Sequence, residues 1–201
     1  MDFRVWGREN IPPGPKIYAV NHISSTDVYW ILPVFPEPVH LVLGPCYKFR
    51  PLAWMLDRME MVSAMPGDTR VVIESSVRLL QRGESIVIAP EGDLQEPYQL
   101  GPFQPGIAAI YRRTGAPIVP MALVAPRRSL REYPFPIVIE GRVYRTVAAL
   151  RGPFCINVGA PLRPAVENGS RKDQNQLILA ALRERMQALL DGVRSNEFWR
   201  N

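Results

Sequence analysis

The sequence predicts an α/β fold: a mixed, largely parallel sheet flanked by helices in one domain spanning 1–201. Three observations predict it. Short apolar runs bounded by Pro and Gly alternate with stretches of helical periodicity. Apolar residues make up 47% of the 201 and charged residues 21%, enough for a sizeable single core. The chain closes on an amphipathic helix, over about 173–193, whose apolar stripe suits one face of a sheet.

The strands expected in order are Lys16–Val20, Val39–Leu43, Ser85–Ala89, Pro117–Val124, Pro136–Glu140 and Cys155–Val158, each short, apolar and flanked by turn-forming residues. Helices are expected at Asp27–Leu32, Pro51–Arg58, Thr69–Gln81 and Pro105–Arg113. The last helix, Gln174–Val193, carries Leu177, Ile178, Ala181, Leu182, Met186, Leu189 and Leu190 on one stripe. The 21 prolines recur throughout and mark turns and strand ends.

Several classes are excluded. The longest uncharged stretches, Val28–Pro36 and Thr114–Pro126, are broken by proline and too short to span a bilayer, which takes about 18 or more apolar residues. Asp2, Arg4, Arg8 and Glu9 follow Met1, which matches neither a secretory signal nor a transit peptide, so the chain is read as cytoplasmic. Cys46 and Cys155 lack CxxC spacing or a His cluster, so no disulfide scaffold and no metal site is expected, and both are read as buried. The net charge is +5, yet residues 101–160 alone hold eight Arg, two Glu and no Lys or Asp. Such a basic region attracts anionic headgroups, phosphorylated ligands or nucleic acid. No nucleic-acid module accompanies it, and no nucleic-acid partner is expected.

Open α/β sheets place ligands beyond the carboxyl ends of strands. Two loops there carry chemistry. Asn21-His22-Ile23-Ser24-Ser25-Thr26-Asp27 follows the first expected strand, with Ser24 or Ser25 expected as N-cap so that Asp27 folds back toward His22. A His held by an Asp is the base-and-orienter half of a triad, able to take a hydroxyl proton near neutral pH. The plainer reading of an isolated pair is a structural loop His beside a capping Asp. His40, at a strand start, is read as structural and without a partner. The second loop, Pro90-Glu91-Gly92-Asp93, puts a carboxylate in a tight turn in which Gly92 is free to take positive φ.

In order and spacing, Asn21 to Asp27, then Pro90-Glu91-Gly92, then Phe103-Gln104-Pro105-Gly106, then Ala116-Pro117-Ile118-Val119-Pro120-Met121 closely resembles the glycerolipid acyltransferase family, over roughly residues 15–125. The resemblance implies the fold of that family and transfer of a fatty acyl group from acyl-CoA or acyl-carrier protein to a lipid hydroxyl, with no bound cofactor or metal. It implies His22 as general base and Asp27 as its orienter. Asn21, Ser24, Ser25, Glu91, Gly92, Asp93, Phe103, Gly106 and Pro120 are the expected substrate-binding positions. Backbone N–H groups near Ser24 and Ser25 are candidate oxyanion donors.

Two departures bear on the acceptor. Where the family continues after Glu-Gly with Thr-Arg-Ser, this chain has Asp93-Leu94-Gln95, and a second family arginine is missing near Val62-Ser63-Ala64. Leu94 in place of a guanidinium, beside Asp93, disfavours a phosphomonoester. The expected acceptor is therefore a lysophospholipid or related lipid alcohol lacking a free phosphate. Arg70, Arg127 and Arg128 are candidate replacements; as plain alternatives, Arg70 pairs with Glu74 and the other two are solvated. Rival readings are thioester hydrolysis and a non-catalytic lipid-binding member of the fold. Peripheral contact with the inner face of the membrane is expected through Val28–Phe35, Trp54, Met55 and Met59 with the Arg-rich region, unless those side chains line the core or an acyl groove.

Overall fold

The computed structural model describes residues 3–165 and 169–194, so the outer ends of the predicted 1–201 domain, Met1 and Asp2 among them, lie outside the described residues. Among the described residues, nine strands and five α-helices follow one another as β1 (Phe3–Trp6), β2 (Ile17–Val20), α1 (Asp27–Ile31), β3 (Val39–Leu43), α2 (Arg50–Arg58), β4 (Val62–Ser63), α3 (Thr69–Gln81), β5 (Ser85–Ile88), α4 (Gly106–Thr114), β6 (Ile118–Val124), β7 (Leu130–Ile139), β8 (Arg142–Ala149), β9 (Phe154–Val158) and α5 (Arg171–Arg194).

Seven strands form one sheet in the order β1-β9-β6-β2-β5-β3-β4. All neighbours are parallel except β6 and β9, which run antiparallel with Leu123 opposite Ile156. The mixed, mostly parallel sheet agrees with the predicted class. The strand period of two sorts side chains between two cores. Ile17, Ala19, Ile86, Ile88 and Ile118 face α3, α4 and α5, while Tyr18, Val20, Val87, Val119 and Met121 face Ile23, Ile31, Val34 and Phe35. Apolar residues on both faces explain why these strands read as continuous runs in the sequence.

Helix α5 covers the first face with Ile178, Leu182, Met186, Leu190 and Val193, a ladder of three- and four-residue steps buried to within 1%. Its start is fixed by Ser170, whose Oγ accepts the Asp173 N–H at 3.2 Å. Leu177, expected on the buried stripe, is exposed instead, because the stripe is narrower than the run of apolar letters. Helix α4 ends on Gly115 at φ +63°, whose N–H closes on the Tyr111 carbonyl at 2.8 Å.

The structure departs from expectation in the outer parts. Strand β1 precedes the expected first strand, and its one charged side chain, the exposed Arg4, suits its place at the sheet edge. The single strand expected at Pro136–Glu140 is the end of a ten-residue strand, β7, paired to β8 in a separate two-stranded hairpin with an irregularity between Tyr133 and Ile137. His40 does have partners: Nδ1 lies 3.0 Å from the Glu60 carbonyl and Nε2 2.6 Å from Glu84. Cys155 is buried, and burial pushes its thiol up to about 12. Cys46 is only half-buried, because it sits in a surface turn, Pro45–Lys48.

Candidate active site

The loop after β2 is held from three directions. Asn21, fully buried, bridges to β6: its Nδ2 donates to the Leu123 carbonyl at 3.0 Å and its Oδ1 accepts the Leu123 N–H at 2.6 Å. Both polar atoms of its amide thus bond the neighbouring strand and anchor the loop to it. The Ser25 N–H donates to the Val147 carbonyl at 2.7 Å, and the Ala149 N–H donates to Thr26 Oγ1 at 2.9 Å. The third grip comes from the loop after β5, and it holds His22 itself.

Glu91 is 3% exposed, with Oε2 accepting the His22 N–H at 2.9 Å and Oε1 accepting the Gly101 N–H at 2.8 Å. The Gln95 N–H donates to the His22 carbonyl at 2.7 Å. Both backbone polar groups of His22 are therefore fixed by one loop, whose reversal uses Gly92 at φ +67°. Burial pushes the Glu91 carboxyl above its ordinary value, while the N–H groups of His22 and Gly101 pull it back. With both oxygens on backbone donors, Glu91 is a brace for the His22 loop.

The imidazole Nδ1 of His22 lies 3.0 Å from Asp27 Oδ2. The same oxygen accepts the N–H groups of Ile23 at 2.9 Å and Ser24 at 3.1 Å, and Oδ1 accepts Ser24 Oγ at 2.6 Å. Asp27 is 3% exposed, and this set of donors holds it as a buried carboxylate at the first turn of α1. The His22 side chain is 34% exposed, and its Nε2 makes no hydrogen bond among the described residues. The pair thus presents one ring nitrogen outward with the other held by an anion, the geometry of an oriented base.

Two local expectations are corrected. The residue before α1 is Thr26, and no side chain caps the helix in the usual sense. Asp27 instead reaches back and accepts the N–H groups of Ile23 and Ser24 in the loop before the helix. As a result the Ser24 N–H is spent on Asp27 and the Ser25 N–H on Val147, so neither is an open oxyanion donor. Ser24 is fully buried against Asp27, whereas Ser25 is exposed and its Oγ accepts the Val147 N–H at 3.3 Å.

The remaining predicted positions scatter. Asp93 pairs with Arg142 from the hairpin at 2.8 Å. Arg127 pairs with Glu96 at 2.6 Å, one residue beyond the Gln95 that holds His22, and Arg128 is exposed beside it. Arg70 lies exposed on the first turn of α3, and its charge acts on Glu74, but the Glu74 carboxylate is bonded by Arg113 at 2.8 and 2.9 Å. Phe103 packs against the α-helical side under Arg183, Gly106 opens α4, and Pro120 is buried inside β6 opposite Ala19. No hydrogen bond joins these last three or Arg70 to His22 or Asp27 among the described residues.

Sequence reasoning missed Gln95, Gly101, Leu123, Val147, Ala149 and Arg183. Arg183 fixes the second loop from α5, with Nη1 on the Gly101 carbonyl at 2.5 Å and Nη2 on that of Leu100 at 2.8 Å. Most act through backbone groups, which carry no sequence signal. Among the described residues no three His, Cys, Asp or Glu side chains gather as a metal site, and no helix is long and apolar enough to cross a membrane.

Comparison with known proteins places this geometry. In Brassica napus, 1-acyl-sn-glycerol-3-phosphate acyltransferase BAT2, chloroplastic, is 31% identical over 134 residues, covering 60% of this chain and 36% of that protein. In Pseudomonas aeruginosa, a 1-acyl-sn-glycerol-3-phosphate acyltransferase is 26% identical over 165 residues, covering 74% and 64%. The chain thus spans between about a third and two thirds of the length of the curated relatives it matches. The crystal structure of the 1-acyl-sn-glycerophosphate acyltransferase PlsC from Thermotoga maritima shares the fold, with a TM-score of 0.65 and 18% identity over 97% of this chain and 73% of that one. The family model described as Acyltransferase matches residues 2–124, from the N-terminal edge strand through the end of β6 and across both loops that hold His22. By that match the chain belongs to the Acyltransferase family.

Proposed function

We propose that this protein is an O-acyltransferase that moves a fatty acyl group from a thioester, acyl-CoA or acyl-carrier protein, to a lipid hydroxyl. The observation that carries this reading is the His22–Asp27 pair at 3.0 Å, with the His22 backbone clamped by Glu91 and Gln95. His22 Nε2 takes the acceptor's hydroxyl proton as the oxygen attacks the thioester carbonyl. The C–O bond forms, the C–S bond breaks, and the leaving thiolate recovers the proton from the imidazolium. Asp27 holds the ring's orientation and stabilises its charged form. The mechanism calls for no bound cofactor or metal.

The acceptor is a lysophospholipid or related lipid alcohol without a free phosphate. Leu94 supports this, as do the guanidinium groups nearest the loop: Arg142 sits on Asp93, Arg127 on Glu96, and Arg145 on Glu96 and Glu132. A phosphomonoester there would compete with carboxylates already in place.

The test is thiol release from acyl-CoA with lysophosphatidic acid, with a panel of phosphate-free lipid alcohols and with no acceptor, each alongside His22→Ala. Release that needs a particular alcohol and His22 is the expected result. Release without acceptor overturns it in favour of hydrolysis, and no release from acyl-CoA or acyl-carrier protein in any arm leaves a binding protein.

A further inference from the structure

Two exposed apolar surfaces meet at one place on the molecule. On α2 and at its two ends, Phe49, Trp54, Met55 and Met59 are about half exposed or more, with Trp54 at 62%. On the β7–β8 hairpin, Phe135 is 76% exposed, and Val138 and Val143 stand directly opposite each other on one exposed face. Lys48, just before α2, joins the two by donating from Nζ to the Val138 carbonyl at 2.6 Å. Neither surface is explained by the fold, since each turns large apolar side chains away from both cores.

The same segments hold the protein's charge excess. Residues 48–58 and 127–151 carry nine basic and three acidic side chains, and with Asp93 and Glu96, which pair with Arg142, Arg127 and Arg145, the surplus is four of the net five of the whole chain, left on cations such as Arg58 and Arg131. Cations lie over aromatic rings here, with Arg58 4.8 Å from the Trp54 ring centre, Arg131 5.7 Å from that of Tyr133 and Arg142 5.0 Å from that of Tyr144. Aromatic and aliphatic tips interspersed with arginine are what a bilayer interface binds: the tips enter the acyl boundary and the cations meet headgroup phosphates.

We propose that α2 and the β7–β8 hairpin form a docking face for a bilayer bearing anionic headgroups. This rests on the lipid-acting reading above and adds where the lipid comes from. A second copy of the chain does not fit the face, because a twofold contact would set a surplus of four positive charges against its own like. Nucleic acid would meet the cations and leave Met55, Val138 and Val143 without a partner.

Topology puts this face at the catalytic mouth. The hairpin leaves the end of β6, passes the His22 loop through Val147 and Ala149, passes the second loop through Arg142 and Arg145, and reaches Lys48 beyond β3. It crosses the carboxyl ends of β2 and β5, between which His22 is clamped. A lipid leaving a bilayer seated there meets His22 without crossing open water.

The test uses the His22→Ala chain, so that binding is read apart from turnover. Its sedimentation with vesicles of phosphatidylcholine plus phosphatidylglycerol is compared with that on phosphatidylcholine alone, at low and high salt. Binding to the anionic vesicles that weakens with salt is expected. Trp54→Glu with Phe135→Glu lowers the partition by at least about tenfold, since both tips then carry charge into the interface. Arg58→Glu with Arg131→Glu lowers it on anionic vesicles only. Melting temperatures and elution volumes show that each variant is folded and in the same oligomeric state. Vesicle binding left unchanged by both pairs in folded protein overturns the proposal, as does a loss of self-association in place of a loss of vesicle binding. Vesicle binding with no thiol release in the wild type overturns the catalytic reading alone.

Discussion

Asp27→Asn is the sharpest probe of the catalytic pair. The amide oxygen can still accept the N–H groups of His22, Ile23 and Ser24, and the new NH₂ can donate to Ser24 Oγ, so the loop keeps its shape. Only the charge facing the ring disappears. At 3.0 Å and an effective dielectric of about 20, an imidazolium and a carboxylate attract by about 5 kcal/mol. Because His22 is one-third exposed, solvent screens this to roughly half, or about 2 to 3 kcal/mol. At about 1.4 kcal/mol per decade, kcat for acyl transfer falls by about 30- to 150-fold. KM for donor and acceptor stays within about twofold, since the charge acts on a state formed only as the proton moves. Thiol-release kinetics on both proteins, with melting curves beside them, measure this. A variant within threefold of wild-type kcat, or one whose whole loss lies in KM, would refute the assignment of Asp27 as orienter of a base.

Three further outcomes follow from the geometry. The Glu91 carboxyl is raised above its ordinary 4.5, so the folded state holds its proton more tightly than the unfolded chain. The unfolding free energy of wild type minus that of Glu91→Gln, followed by urea titration, therefore falls as pH rises through that raised value and then levels; a difference that rises with pH over that window contradicts burial as the dominant cause. Lys16, 1% exposed, donates from Nζ to Glu37 at 2.6 Å, and Tyr18 and Ser85 bond the same oxygen. Glu37→Leu strands that cation and costs about 3 to 5 kcal/mol; a loss under about 1 kcal/mol in denaturant melts would mean that Lys16 finds water or another partner. Leu94→Arg raises kcat/KM for lysophosphatidic acid relative to a phosphate-free alcohol by about tenfold or more, the worth of one charged hydrogen bond. An unchanged ratio in competition assays would place the acceptor headgroup elsewhere.

The parts of the fold that were legible are those whose side chains answer to local rules. Thr69–Gln81 and Val39–Leu43 match expectation residue for residue, because one carries helical spacing throughout and the other is a bounded apolar run. Strands β1, β8 and the first half of β7 were not legible. Phe-Arg-Val-Trp reads as a charged leader until β9 lies beside it, and the hairpin strands, with Pro134, Pro136 and exposed arginines, are made by pairing across 130–149 and not by burial. At the site, the spacing of His22 and Asp27 alone was a weak sign, and it was the four motifs in order that singled out the pair, whose side chains the fold brings to 3.0 Å. The oxyanion expectation at Ser24 and Ser25 failed because their N–H groups are taken by Asp27 and by Val147, one folded back three residues and the other 122 residues away. The anchoring bonds of Asn21 were illegible for the same reason: their partner, Leu123, is 102 residues distant.

The placement of the loop's supports has a consequence for how the protein is made. Val147 and Ala149 hold Ser25 and Thr26, and Arg183 fixes the segment that binds Glu91. On the ribosome, His22 and Asp27 emerge before all of these partners, and Arg183 follows them only after more than 150 further residues have been synthesised. A nascent chain that ends before α5 therefore carries His22 and Asp27 without the full framework that holds their loops. The last support arrives when Arg183 of α5 reaches the Leu100 and Gly101 carbonyls.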